Sequence, residues 1–176
     1  ARALSIAARY LATRGGPLAE TYGATGGIFR SDSALDVPDA IAVMIPALLQ
    51  RAGVGASYLN AVARRHGFTV LVSLGRQSSR GRVCLRSADP GESPAIFFDY
   101  YNDPEDMRRM VEIVRAMREA IRRTVISRHI EREIQPGDGA NDAASIERAI
   151  RTSGSTFFHP GGTCRMGSDH EAVVDP

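Results

Sequence analysis

The 176-residue sequence contains no lysine and no tryptophan, so all 22 of its basic residues are arginine. Without lysine, the segment can neither form a Schiff base nor use a lysine as general base. The arginines nearly balance 20 acidic residues, which leaves a formal net charge of +2. This balance predicts neither a nucleic-acid surface nor a charged membrane surface.

Long apolar runs are also missing. The longest covers residues 40–49 and is interrupted by Pro46, which is too short to span a bilayer. Arg2, Arg9 and Arg14 interrupt any signal-peptide core near the start. We therefore predict no transmembrane segment and a cytoplasmic protein, with peripheral attachment to an inner membrane as the alternative.

Cysteine is scarce, and the histidines are scattered. Cys84 and Cys164 lie eighty residues apart and form no CxxC pair, which favours two reduced thiols over a disulfide. His66, His129 and His170 show no ligand spacing with one another or with a carboxylate. We therefore predict no metal site.

The apolar spacing predicts strands in the first hundred residues and helices around and after them. Residues 50–66 stay open between a loop and a short helix, because three small residues interrupt their start. Strands followed by long helices predict an α+β fold with a mostly antiparallel sheet. The predicted elements are helices over residues 3–13, 104–121 and 142–150, and strands over residues 24–29, 40–45, 68–74, 82–86 and 95–99.

Three patterns make sharper predictions. Residues 40–45 are apolar at nearly every position, so that strand is expected to be buried on both faces. Arg82 to Arg86 alternates charged and apolar residues, which predicts that Val83 and Leu85 face inward. Asp103 followed by Pro104 is typical of a helix start, with a capping side chain and a proline at the first position.

The most informative residue is His159, which precedes Pro160 and the glycine pair Gly161-Gly162. Proline fixes its own φ and keeps the preceding residue out of the α region, so His159 is held in extended backbone. The glycines let another group approach the backbone closely. An imidazole presented in this way suits proton transfer, although a lone histidine before proline is more often structural.

The string His159-Pro160-Gly161-Gly162-Thr163-Cys164-Arg165-Met166-Gly167 resembles the C-terminal signature of the glucose–methanol–choline (GMC) oxidoreductases. These flavoenzymes oxidise alcohols with FAD. Four further stretches are similar to the family in the same order, and the nearest likeness is to choline dehydrogenase and related bacterial alcohol dehydrogenases. The stretches are residues 16–19 with 26–31, residues 79–90, residues 94–100 and residues 132–137.

The resemblance implies a substrate-binding domain over residues 1–157 and a catalytic-histidine segment over residues 158–176 that returns toward an FAD-binding domain. It also implies a sheet of about six strands with helices on one side, and His159 acting on the substrate hydroxyl proton. The family's FAD-binding Gly-x-Gly-x-x-Gly is absent from this sequence, so no cofactor-binding residue is assigned. The family's second active-site residue, His or Asn, would lie some forty residues after His159.

Other interpretations remain beside this one. Cys164 and His159 as a nucleophile and base are disfavoured, because nothing in the sequence orients the histidine. The chain could also be a catalytically inert substrate-binding or structural piece. Within the resemblance, Ala24 and Val43 stand where choline-oxidising relatives have a carboxylate and a histidine. This predicts a more apolar substrate pocket.

Overall fold

The computed structural model describes residues 2–16, 18–19, 23, 25–49 and 67–176. The chain forms two compact units, Ala1–Ser73 and Leu74–Pro176. The elements are helices α1 (Arg2–Thr13), α2 (Pro104–Arg122) and α3 (Ala143–Ser153), a 3₁₀ helix (Val125–His129), and strands β1 (Thr25–Phe29), β2 (Ala40–Ile45), β3 (Thr69–Leu74), β4 (Arg82–Cys84) and β5 (Ala95–Phe97).

The first sheet contains three strands in the order β1-β2-β3. Strands β1 and β2 are antiparallel, with Thr25 opposite Met44 and Phe29 opposite Ala40. On β2, Ala40, Ala42 and Ile45 are buried while the remaining side chains are half-buried, so burial is complete at some positions and partial at others. The predicted bounds of β2 are confirmed. The prediction that both of its faces are buried is confirmed only in part.

Helix α1 has the predicted amphipathic spacing, but two leucines of its apolar face are exposed. Leu4 and Leu11 are 77% and 70% exposed. Periodicity identifies which residues share a helix face, and it carries no information about what lies against that face. The helix prediction is confirmed in type and bounds.

The second sheet is an antiparallel hairpin of β4 and β5, with Val83 opposite Ile96. The prediction that Val83 and Leu85 face inward is wrong, because they are 50% and 84% exposed. Strand β4 also ends at Cys84, two residues earlier than predicted. Nothing in the described chain covers this apolar face of the hairpin.

The core of the second unit lies along α2 and α3. Asp103 caps α2 by accepting the Glu105 N–H at 2.9 Å, and Pro104 is its first residue, which confirms the predicted start. Ile113 and Ile146 are completely buried. The other buried apolar side chains of α2 and α3 follow the predicted helical spacing: Met107, Met110, Val111, Val114 and Ile150.

The α+β class is confirmed. The described residues form five strands in two sheets, in which β1 and β2 are antiparallel, as are β4 and β5. The resemblance implied about six strands in one sheet. The functional division at residues 157 and 158 remains a prediction. Residues 50–66 lie outside the described residues. No described helix is long and apolar enough to cross a membrane.

Candidate active site

The segment that contains His159 begins at the end of α3. The Gly154 N–H donates to the Ile150 carbonyl at 2.7 Å and closes the last turn. A Cβ at Gly154 would lie 2.6 Å from that carbonyl oxygen, so glycine is required for this exit. Because Ile146 and Ile150 are buried, the segment starts from a fixed point of the core.

Phe158 sets the backbone just before His159. It has φ +60°, a left-handed conformation that bulky residues rarely adopt. Its N–H donates to the Thr156 hydroxyl oxygen at 3.0 Å. His159 follows with an exposed side chain, and Pro160 restricts it from the other side.

Beyond Pro160 the backbone is open. Apart from the glycine itself and its two chain neighbours, no described atom lies within 4 Å of the position that a Cβ would take at Gly161 or at Gly162. Gly162 has φ +96°, which strongly favours glycine. A flat group could therefore lie against this stretch of backbone without meeting a side chain.

The residues after Thr163 form a closed loop. The Arg165 guanidinium donates two hydrogen bonds to the Asp169 carboxylate, at 2.8 and 2.5 Å. Met166 and Val174 form a parallel bridge, in which the Gly167 N–H donates to the Val174 carbonyl at 3.1 Å. The hydrogen bond from Arg165 lowers the pKa of Asp169, so the pair stays ionised well into acid.

The structure places the predicted site residues as follows. His159 is exposed, and within the described chain its imidazole has no hydrogen-bond partner, Cys164 included. Cys84 and Cys164 are free and exposed. Val43 is half-buried on β2 opposite Gly26, in the first unit. Ala24 lies outside the described residues.

Across the part of the chain that the structure describes, no group of three or more His, Cys, Asp or Glu residues could hold a metal ion.

Sequence reasoning missed Asp106, which is almost completely buried in the first turn of α2. Its carboxylate accepts the N–H groups of Ser78 and Ser79 at 2.8 and 2.7 Å. Burial alone would raise the pKa of Asp106, but the hydrogen bonds from these serines outweigh it and lower the pKa. An acidic residue on the apolar side of a helix was the available signal.

Thr156 was also missed. A threonine hydroxyl can accept the N–H of the residue two positions later and so form a local turn. This sequence pattern is common, so it is a weak signal.

Residues 77–176 match the family described as GMC oxidoreductase. The chain belongs to this family. The match covers the β4–β5 hairpin, both core helices and the His159 segment, so the sequence resemblance is confirmed over the second unit.

Individual relatives extend the similarity to most of the chain. The chain is 35% identical to an oxygen-dependent choline dehydrogenase of Rhizobium etli over 171 residues, which are 96% of this chain and 30% of that protein. It is 33% identical to an alcohol dehydrogenase [acceptor] of Pseudomonas putida, covering 95% of this chain and 29% of the relative. The chain thus spans less than a third of these relatives.

The crystal structure of pyridoxine 4-oxidase from Mesorbium loti has the same fold over much of the chain. It is 28% identical, with a TM-score of 0.71, over 85% of this chain and 29% of the other. The fold of this chain therefore matches that of an experimentally determined structure.

Proposed function

We propose that this chain supplies the substrate-binding part and the proton-accepting histidine of an FAD-dependent oxidoreductase that converts a primary alcohol to an aldehyde. The observation that carries the proposal is His159. Its imidazole is exposed and without a partner in the described chain, on a backbone restricted by Phe158 and Pro160. The family membership and the alcohol-oxidising relatives support the same reaction class.

The residues present fit one edge of a flavin. The open backbone at Gly161 and Gly162 leaves room for a planar ring beside His159. The sequence contains no glycine-rich dinucleotide fingerprint, so these residues would contact the ring, while the pyrophosphate would be held elsewhere. When bound, FAD supplies a two-electron acceptor for the hydride that leaves the alcohol carbon.

The chain's own part in the reaction is proton transfer. The substrate hydroxyl would donate a hydrogen bond to the His159 imidazole, which accepts the proton as the carbon–oxygen bond becomes a carbonyl. The fixed backbone keeps the acceptor in place and reduces the reorganisation needed during the step. The imidazolium then releases its proton to solvent, to which His159 is exposed.

The apolar face of the hairpin supports a further part of the proposal. Val83, Leu85, Ile96 and Phe98 are all at least half exposed. Exposed apolar patches of this kind are typical of interfaces. We propose that the FAD-binding domain of the same enzyme covers this face. A cytoplasmic location stays a prediction.

The substrate class follows from the pocket positions implied by the resemblance. Val43 is half-buried and apolar, and Ala24 has no charge. A quaternary ammonium is stabilised by carboxylates and aromatic faces, and its burial without such a partner is costly. Apolar alcohols gain about 25 cal/mol per Å² of buried surface. We therefore propose an uncharged aliphatic or aromatic alcohol as the substrate.

A substrate panel tests this choice in the FAD-loaded enzyme that carries this sequence. We expect a higher kcat/KM for benzyl alcohol or a linear alcohol than for choline. The paired variants Ala24→Glu and Val43→His should raise the choline value, because they restore the groups found in choline-oxidising relatives. If choline is the best alcohol for the unchanged enzyme, the apolar pocket is wrong.

The alternative is an inert substrate-binding or structural piece. Anaerobic mixing with alcohol separates the two, because only an active enzyme loses its flavin absorbance. A purified protein of these 176 residues alone should show no flavin absorbance, since the fingerprint that holds the pyrophosphate is absent from the sequence. A flavin bound to that protein would place the cofactor contacts within this sequence.

A further inference from the structure

Phe158 is the least expected of the backbone conformations near His159. Four described non-glycine residues have positive φ: Arg14, Asp99, Tyr101 and Phe158. Arg14 directly follows a helix, and aspartate tolerates this region, which leaves two bulky aromatic residues, of which Phe158 is the one beside His159. A bulky side chain in the left-handed region is strained, and such strain persists only when the surroundings support it.

Part of that support is visible. The Phe158 N–H donates to the Thr156 hydroxyl oxygen at 3.0 Å, which closes a local turn across Thr156 and Phe157. This turn fixes the peptide that joins Phe157 to Phe158, and the left-handed φ of Phe158 then directs the next peptide, which enters His159. Pro160 restricts the peptide that leaves His159, so the backbone is restricted on both sides of the histidine.

We propose that Thr156 is a positioning residue for His159. Its hydroxyl accepts the Phe158 N–H and holds the peptide from which Phe158 enters its left-handed conformation, and this fixed approach aims the His159 side chain at the substrate hydroxyl. This inference rests on the proposed role of His159. Thr156 itself touches neither substrate nor cofactor in this account.

Two substitutions isolate the hydroxyl. Thr156→Val keeps the shape of the side chain and removes the acceptor, whereas Thr156→Ser keeps the acceptor. Thr152→Val is the matched control, because the Thr152 hydroxyl also bonds locally, to the Arg148 and Ala149 carbonyls within α3. Thr156→Ala is a second hydroxyl-free variant in case valine packs poorly.

We measure kcat and KM on the FAD-loaded enzyme and hydrogen exchange of the Phe158 amide in the same protein without substrate. In Thr156→Val we expect kcat to fall about tenfold at nearly constant KM, because small misplacements of a catalytic group are costly. The Phe158 amide should exchange faster. Thr156→Ser and Thr152→Val should keep the original kcat.

The proposal is overturned if Thr156→Val keeps its kcat, if Thr156→Ser loses as much as Thr156→Val, or if Thr152→Val falls equally. It is also overturned if neither hydroxyl-free variant folds, since the role would then be structural. The variant His159→Ala distinguishes a failure of the proposed function from a failure of the positioning role of Thr156. If that variant stays active, the proposed function fails, whereas an inactive His159→Ala beside an active Thr156→Val contradicts only the positioning role.

Discussion

The second unit contains two regions that are organised in opposite ways. Helices α2 and α3 bury their apolar side chains against each other and pair most of their charges, as Glu105 does with Arg109 and Glu119 with Arg123. The hairpin and the His159 segment instead expose apolar side chains and carry strained or open backbone. The helical region has its stability within the chain, and the exposed region presents surface to other groups.

The strongest test of this contrast compares Ile113→Ala with Leu85→Ala. Ile113 is fully buried and Leu85 is 84% exposed. Removing the buried side chain should lower the free energy of unfolding by about 2–5 kcal/mol, while the exposed one should change it by about 0.5 kcal/mol or less. Both values are measured by denaturant unfolding of the 176-residue chain alone, in which no other domain can cover Leu85. Similar losses for the two variants would break the comparison.

A second test concerns the connection between the regions at Asp106. Asp106→Ala leaves the N–H groups of Ser78 and Ser79 without the buried carboxylate that accepts them, so we expect the free energy of unfolding to fall by about 1.5–3 kcal/mol. Glu119→Ala, on an exposed part of the same helix, is the control and should cost about 0.5 kcal/mol or less. Equal stability of the two variants would contradict the anchoring role.

Asp106 should also make the stability of the fold depend on pH. Because its pKa is lowered in the folded state, Asp106 stabilises the fold fully above the ordinary carboxyl pKa of about 4. That contribution is lost as the pH falls through the lower, folded-state pKa. Unfolding measured across acid pH should therefore show a weaker pH dependence in Asp106→Ala than in the unchanged protein. An identical slope would exclude this linkage.

The smallest expected difference separates two arginines of α2. Arg118 is largely buried, donates to Glu133 twice, and also bonds the Ala140 carbonyl. Arg118→Met should lower the free energy of unfolding by about 1–3 kcal/mol. Arg123 is an exposed partner of Glu119, so Arg123→Met should cost about 0.5 kcal/mol or less. Chemical denaturation measures the free energy of unfolding of both variants. An equal loss in Arg118→Met and Arg123→Met would contradict the difference expected between a buried and an exposed arginine.

The sequence predicted the helical region well because its signals are local and its partners lie within the chain. Asp103 and Pro104 specify the start of α2, and the apolar spacing specifies its buried side. The hairpin prediction was wrong for a physical reason. Alternation shows that Val83 and Leu85 share a face, but only a covering surface can make that face an interior, and none lies in the described chain.

The candidate site was predicted in part. Pro160 and the glycine pair indicated a rigid backbone at His159 with open space beside it; the structure has open space at both glycines, and the rigidity stays a prediction. The left-handed conformation of Phe158 could not be predicted, because phenylalanine strongly prefers negative φ. The hydrogen bond that the Asp106 carboxylate accepts from the Ser79 N–H, before β4, depends on a tertiary contact across 27 residues, which local patterns do not encode.

The most direct test of the account is the rate at which alcohol reduces the flavin in His159→Ala, measured anaerobically by rapid mixing. His170→Ala is the matched control, because His170 is an exposed histidine of the same C-terminal segment. We expect the rate in His159→Ala to fall by about 10²–10⁴-fold at unchanged flavin content, the usual contribution of a positioned base, with His170→Ala unaffected. Reduction of His159→Ala at the original rate would contradict the central claim.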